Sequence, residues 1–122
     1  MGNKTIPIFD EAMSLFKARK YKEAESLFLS LIESNRENKY VLFQLGKIRL
    51  QLRDIKGAES YFKECIQYFP KNCYPRLELG KIYKKQRKTK EAEEQFYRYI
   101  EIDKDRTPHA RIELGKLYKE QG

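Results

Sequence analysis

Few residue types in this 122-residue chain could do chemistry, and their spacing decides what each can do. Three Gly-Lys pairs, Gly46-Lys47, Gly80-Lys81 and Gly115-Lys116, suggest the end of a phosphate-binding loop. That loop requires an earlier glycine at a fixed distance and a Ser or Thr after the lysine, and neither is present. Each pair also sits inside a helical apolar pattern, where the backbone N–H groups are already committed. His109 is the only histidine, with no serine, cysteine or carboxylate pair placed to work with it, so it fits a helix start or a binding surface better than acid–base chemistry. Cys65 stands beside Ile66 on an apolar helix face, the setting of a packed thiol. Cys73 falls in a loop, where exposure is expected. Two cysteines are too few for a disulfide framework or a zinc site. No enzymatic activity, cofactor or metal is expected.

The densest basic stretch is Lys84-Lys85-Gln86-Arg87-Lys88-Thr89-Lys90. Its chemistry suits the phosphates of a nucleic acid, or a nuclear localisation signal. It also spans the end of a helix and the following turn, where cations complement the helix dipole. The net charge of +8 is spread along the chain: residues 1–34 are balanced, and 35–72, 73–106 and 107–122 carry +4, +3 and +1. A nucleic-acid-binding arm would concentrate that charge. Association with RNA is therefore the alternative reading and not the leading one. Charged residues make up 36% and apolar ones 40%, enough for one domain with a core. Apolar stretches run to a few residues, far short of the ~20 of a membrane-spanning helix. The start, through Asp10 and Glu11, lacks the apolar run of a secretion signal, and Ile6 stands where myristoylation wants Ser or Thr. A reduced, cytoplasmic location and no membrane partner are expected.

The elements that position these residues repeat. Ala24, Ala58 and Ala92 lie 34 residues apart, and each is followed four residues later by Phe28, Phe62 or Phe96. Leu45-Gly46-Lys47 returns as Leu79-Gly80-Lys81 after 34 residues and as Leu114-Gly115-Lys116 after 35 more. Ala12 holds the glycine's place in the first unit. The apolar set Leu27, Phe28, Leu31, Ile32 is copied by Tyr61, Phe62, Cys65, Ile66, a helical spacing. Pro70 follows one helix, Pro75 sits in the first turn of the next, Thr107-Pro108 reads as an N-cap and first helical residue, and Asp54 as an N-cap. Seven helices are predicted, over 6–18, 21–34, 39–52, 55–69, 74–87, 89–103 and 108–121. The extra residue before Gly115 is expected in the loop around Lys104–Arg106.

These columns resemble the tetratricopeptide repeat, in which a W-x2-L-G-x2-Y helix is followed by an A-x3-F helix and a proline over 34 residues. The second unit supplies Leu42, Leu45, Gly46, Arg49, Ala58, Phe62 and Pro70. The third supplies Arg76, Leu79, Gly80, Tyr83, Ala92, Phe96 and Lys104. Arg111, Leu114, Gly115 and Tyr118 make a final half-unit, and Ile8, Glu11, Ala12, Leu15, Ala24, Phe28 and Arg36 the first. No tryptophan is present, and arginine replaces it twice. The resemblance implies an all-α solenoid of antiparallel helix pairs in one domain, with repeats near 5–38, 39–72 and 73–107 and a final helix at 108–121. Stacking supplies the core that one hairpin cannot. The last helix either caps the array or is half of a repeat whose partner helix follows Leu114, Leu117 and Tyr118.

The resemblance also implies a protein-interaction scaffold, working through a concave surface lined by the first helix of each pair. At ~100° per residue, one face of those helices gathers Ile6, Phe9, Met13, Phe16 and Lys17, then Tyr40, Phe43, Lys47, Leu50 and Gln51. The later helices add Tyr74, Leu77, Lys81, Lys84 and Lys85, and His109, Ile112, Lys116, Lys119 and Glu120. Aromatic character gives way to lysine, with Lys47, Lys81 and Lys116 expected in a row. The expected partner is a protein or peptide segment with apolar anchors and acidic residues. Some co-chaperones of the family grip a heat-shock protein's terminal carboxylate with Lys, Asn and Arg. Phe9, Met13 and Gln44 stand where that clamp would want lysine and asparagines, which argues against the activity. Self-association through the apolar first unit is a further possibility, as monomer or weak homo-oligomer.

Overall fold

The computed structural model describes the backbone of residues 5–34, 38–103 and 108–121, and the side chains of 8–33, 38–103 and 111–120. Seven helices follow one another: α1 (Thr5–Lys17), α2 (Tyr21–Ser34), α3 (Lys39–Gln51), α4 (Ile55–Tyr68), α5 (Tyr74–Lys85), α6 (Thr89–Ile102) and α7 (Pro108–Gln121). No strand occurs among the described residues. The helices form two compact units that divide between Tyr68 and Phe69.

Each hairpin is closed by the same minimal turn. The N–H groups of Lys20, Asp54 and Lys88 donate back to the carbonyls of Leu15, Arg49 and Tyr83 at 2.8–2.9 Å, and those of Arg19, Arg53 and Arg87 to Phe16, Leu50 and Lys84 at 3.0 Å. This paired closure satisfies carbonyls that a helix C-terminus leaves free. It requires a left-handed residue, here Arg19, Arg53 and Arg87 with φ of 65°, 63° and 62°. Arginine has a Cβ that glycine lacks, so each site costs ~1 kcal/mol relative to glycine. The carbonyls of Lys20, Asp54 and Lys88 then accept from Ala24, Ala58 and Ala92 at 3.0 Å. One residue thus ends the first helix and begins the second, which fixes the 34-residue phase of the alanine column.

In unit 1, α1 packs on α2, α2 on α3, and α3 on α4. Ala24, Phe28, Leu42, Leu45, Ala58, Phe62 and Cys65 are fully buried. A buried phenylalanine contributes ~1.5–3 kcal/mol. Gly46 explains how α3 and α4 approach: a Cβ there would lie 2.5 Å from Phe62 Cε1. Arg49 of α3 forms ion pairs with Glu25 of α2 and, at 3.4 Å, with Asp54, whose Oδ1 caps α4 by accepting from Gly57 N–H at 3.0 Å. Asn38 caps α3 through Oδ1, which accepts from Tyr40 and Val41 N–H at 3.0 and 3.2 Å.

Unit 2 repeats the plan with α5 on α6 and then α7 on both. A Cβ on Gly80 would run into the Phe96 ring. Tyr99 and Phe96 form the centre, with Leu79, Ala92, Leu114 and Leu117 around them. Cys73, expected exposed, is instead buried at 6%, with its Sγ donating to Asp103 Oδ2 at 3.8 Å. The loop that carries it folds against the end of α6. Arg76, in the tryptophan column, donates to Gln95 Oε1 at 3.3 Å; burial and then the charge of Arg98 lower its pKa. Thr107 and the loop expected to hold the extra residue lie outside the described residues.

Candidate functional site

The first helices of the hairpins (α1, α3, α5 and α7) carry the residues expected to line a binding face. In unit 1, Phe9 is half-buried and packs edge-on against Phe28 at 5.7 Å, and Phe16 does the same with Tyr21 at 5.5 Å. Met13 and Leu50 are also half-buried. Phe43 rests on Phe62 at 5.6 Å, and Lys47 Nζ stands 5.7 Å over the Phe43 ring. Tyr40 is 62% exposed, with Lys39 Nζ 5.2 Å from its centroid. Ile6 and its side chain lie outside the described side chains.

In unit 2, Tyr74 is 47% exposed and leans on Tyr99 at 6.4 Å. Leu77, placed on the binding face by the helical spacing, is 7% exposed and belongs to the core. At that column α5 packs more closely than the angular reading allows. Ile112 is 54% exposed and Lys116 is exposed; the side chain of His109 lies outside those described. Tyr40 and Tyr74 occupy the same column, one at the start of α3 and one at the start of α5. Lys47 and Lys81 follow each by seven residues, two turns on and thus on the same side of the helix.

Carboxylates absent from the sequence reading temper the lysines of unit 2. Glu113 accepts from Lys84 at 3.2 Å and pairs with Lys116 at 3.6 Å; Glu78 pairs with Lys81 and Glu120 with Lys84, both at 3.9 Å. The Lys84–Glu113 pair joins α5 to α7 across 29 positions of sequence, with no local spacing to announce it. Lys47, Lys85 and Arg87 have no carboxylate partner among the described residues. The surface therefore offers aromatic contact area and a few unpaired cations.

The thiols and tyrosines add no reactive group. Burial, with a smaller push from Glu64, raises the Cys65 thiol to about 12. Tyr118 is held up to about 12 mainly by its hydroxyl contact with Tyr97 at 2.6 Å. Among the described residues no cluster of His, Cys, Asp or Glu could hold a metal ion, and no helix is long and apolar enough to cross a membrane.

Comparison with known proteins places this geometry. The solved structure of the Yersinia enterocolitica type III secretion chaperone SycD, in complex with a peptide of the translocator YopD, superposes with a TM-score of 0.87 at 14% identity, covering 99% of this chain and 98% of that one. The first TPR of Spaghetti (RPAP3), bound to the HSP90 peptide SRMEEVD, gives 0.86 at 19% identity over 97% and 93%. The second TPR domain of human RPAP3, in complex with the HSP70 peptide SGPTIEEVD, gives 0.82 at 19% over 93% and 94%. No curated protein sequence matches the chain. The family model for the tetratricopeptide repeat matches residues 40–72 and 76–106, the second and third hairpins with their Leu-Gly and Ala-x3-Phe columns. With more than half its length so matched and the fold shared throughout, the chain belongs to the tetratricopeptide repeat family.

Proposed function

We propose that the chain is a protein-interaction module that takes a peptide segment on the faces of its first helices, the peptide bearing apolar anchors and acidic residues. The observation that carries this reading is the repeated, solvent-facing tyrosine: Tyr40 at 62% and Tyr74 at 47% exposure, each with a lysine two turns further along its helix. An exposed tyrosine offers a large, stiff contact area at low entropy cost, and lysine beside it orients an acidic partner. Phe9, Met13, Phe16, Phe43 and Leu50 provide apolar contact in unit 1; Lys81, Lys84, Ile112 and Lys116 provide mixed contact in unit 2. The neighbours support the reading, since two of them carry peptides rich in glutamate and ending in aspartate. Phe9, Met13 and Gln44, standing where a carboxylate clamp wants lysine and asparagine, favour apolar anchoring over terminal capture.

A peptide-display library panned on the purified chain tests this. Peptides combining Leu, Ile or Phe with Asp or Glu are expected. Tyr40→Ala with Tyr74→Ala should weaken the selected peptide by about tenfold or more, the loss typical of an aromatic hot spot. Reversing Lys47, Lys81 and Lys116 to glutamate should abolish binding. Failure to enrich any peptide, or affinity indifferent to both sets of changes, refutes the proposal. Tight, salt-dependent binding of oligouridylate in place of peptides would favour the RNA alternative.

A further inference from the structure

Within unit 2, the C-terminal end of α5, the α5–α6 turn and α7 enclose an open cavity of about 610 Å³ lined by Lys84, Lys85, Arg87, Thr89, Leu117 and Glu120. We propose that this cavity is a subsite for a carboxylate side chain of an acidic peptide, with Arg87 as its principal anchor. The inference deepens the peptide-binding reading and rests on it for the identity of the ligand.

Four observations converge. First, the size falls within the range of ligand-binding cavities. Second, three cations face one lining carboxylate, and neither Lys85 nor Arg87 has a carboxylate partner among the described residues. Third, the site already handles the proposed chemistry. Lys84 holds Glu113 at 3.2 Å and, more loosely, Glu120 at 3.9 Å, and Glu120 is 62% exposed. A ligand carboxylate can displace Glu120 from Lys84 while Glu113 stays. Leu117, 3% exposed, supplies an apolar wall for the methylenes of an acidic side chain. Fourth, Arg87 occupies a left-handed turn position where glycine is the more stable residue. Its planar, permanently charged guanidinium forms paired hydrogen bonds with a carboxylate that a shorter or uncharged side chain would not.

The two other left-handed arginines make the test discriminating. Arg19 and Arg53 share the backbone geometry and the charge but lie outside the lining of this cavity. Arg87→Gly, Arg19→Gly and Arg53→Gly should therefore all raise the melting temperature, by about 3 °C each. Only Arg87→Gly should weaken binding of a hexaglutamate peptide, by about tenfold. The experiment titrates the isotope-labelled full chain with blocked hexaglutamate, following backbone amide resonances, with inorganic phosphate and oligouridylate in parallel. Shifts are expected at residues 84–89 and 117–120, and phosphate should bind more weakly than the peptide. Unchanged hexaglutamate affinity in Arg87→Gly, or an equal loss in Arg19→Gly and Arg53→Gly, overturns the subsite. Tighter binding of oligouridylate than of hexaglutamate at these resonances overturns the ligand assignment. If selected peptides depend on Lys47, Lys81 and Lys116 but not on Arg87, the helix-face reading stands and the subsite falls. If hexaglutamate binds through Arg87 and no peptide is selected, the reverse holds.

Discussion

Substituting alanine for the column glycines separates packing from helix propensity. In the middle of an exposed helix, Gly→Ala is stabilising by about 1 kcal/mol. At Gly46 the new Cβ would lie 2.5 Å from Phe62 Cε1 and 2.8 Å from Cδ1, roughly 0.9 Å inside the 3.4 Å at which ordinary contact begins. Phe62 cannot swing away, because it is fully buried and Phe43 lies against it at 5.6 Å. Overpacking of this kind costs about 1–3 kcal/mol. Gly46→Ala should therefore be net destabilising by about 1 kcal/mol, and Gly80→Ala, against Phe96, likewise. A Cβ on Gly115 meets nothing within 4 Å. Gly115→Ala should then be stabilising by about 1 kcal/mol, so the same substitution in the same column changes sign. Urea unfolding followed by far-UV circular dichroism reads this as midpoint shifts of about 0.5 M in opposite directions. Phe62→Ala supplies the check: it costs ~3–5 kcal/mol alone, and adding Gly46→Ala to it should be stabilising. Shifts of the same sign at Gly46 and Gly115, or no coupling between Gly46 and Phe62, would refute the reasoning.

Two further outcomes can be measured directly. Asp54→Ala removes the acceptor for Gly57 N–H and should cost about 1 kcal/mol in urea unfolding, whereas Asp54→Asn, which keeps the cap, should retain most of it. Both thiols should react slowly with iodoacetamide in the native chain at about pH 8 and fully in urea, Cys65 because burial keeps it protonated and Cys73 because it is enclosed. The raised Cys65 pKa also has a thermodynamic sign. The folded state holds the proton more tightly than the unfolded one, so this stabilisation is complete below the ordinary thiol value of 9.0 and is lost as pH rises from there towards about 12. The urea midpoint should fall over that window, and Cys65→Ala should flatten the fall.

The order and limits of the helices were legible because periodicity, turn length and the Ala-x3-Phe columns agree. The Asp54 cap could be read because an acceptor stands immediately before an apolar-periodic segment. What stayed hidden depends on partners distant in sequence. Cys73 reads as a loop residue, yet Asp103 at the far end of α6 meets it. Glu113 reads as one more surface carboxylate, yet it takes Lys84 and Lys116 together and lowers the positive charge expected of that end. Leu77 shows the limit of angular reckoning, since a helix face wide enough to hold both core and surface leaves its border residues undecided. The left-handed turns were masked by their occupants: glycine or asparagine would have signalled them, and arginine does not.

The shared residue at each hairpin bend has a consequence for how such a chain can change length. Because Lys20, Asp54 and Lys88 each close one helix and open the next, the bend holds no slack. One inserted residue there would rotate the following helix by about 100° and carry its alanine and phenylalanine off the glycine they pack against. Insertions and deletions are thereby confined to the joints between hairpins, and the single departure from the 34-residue period, between Gly80 and Gly115, follows Ala92 and Phe96 and spares the bend at Lys88.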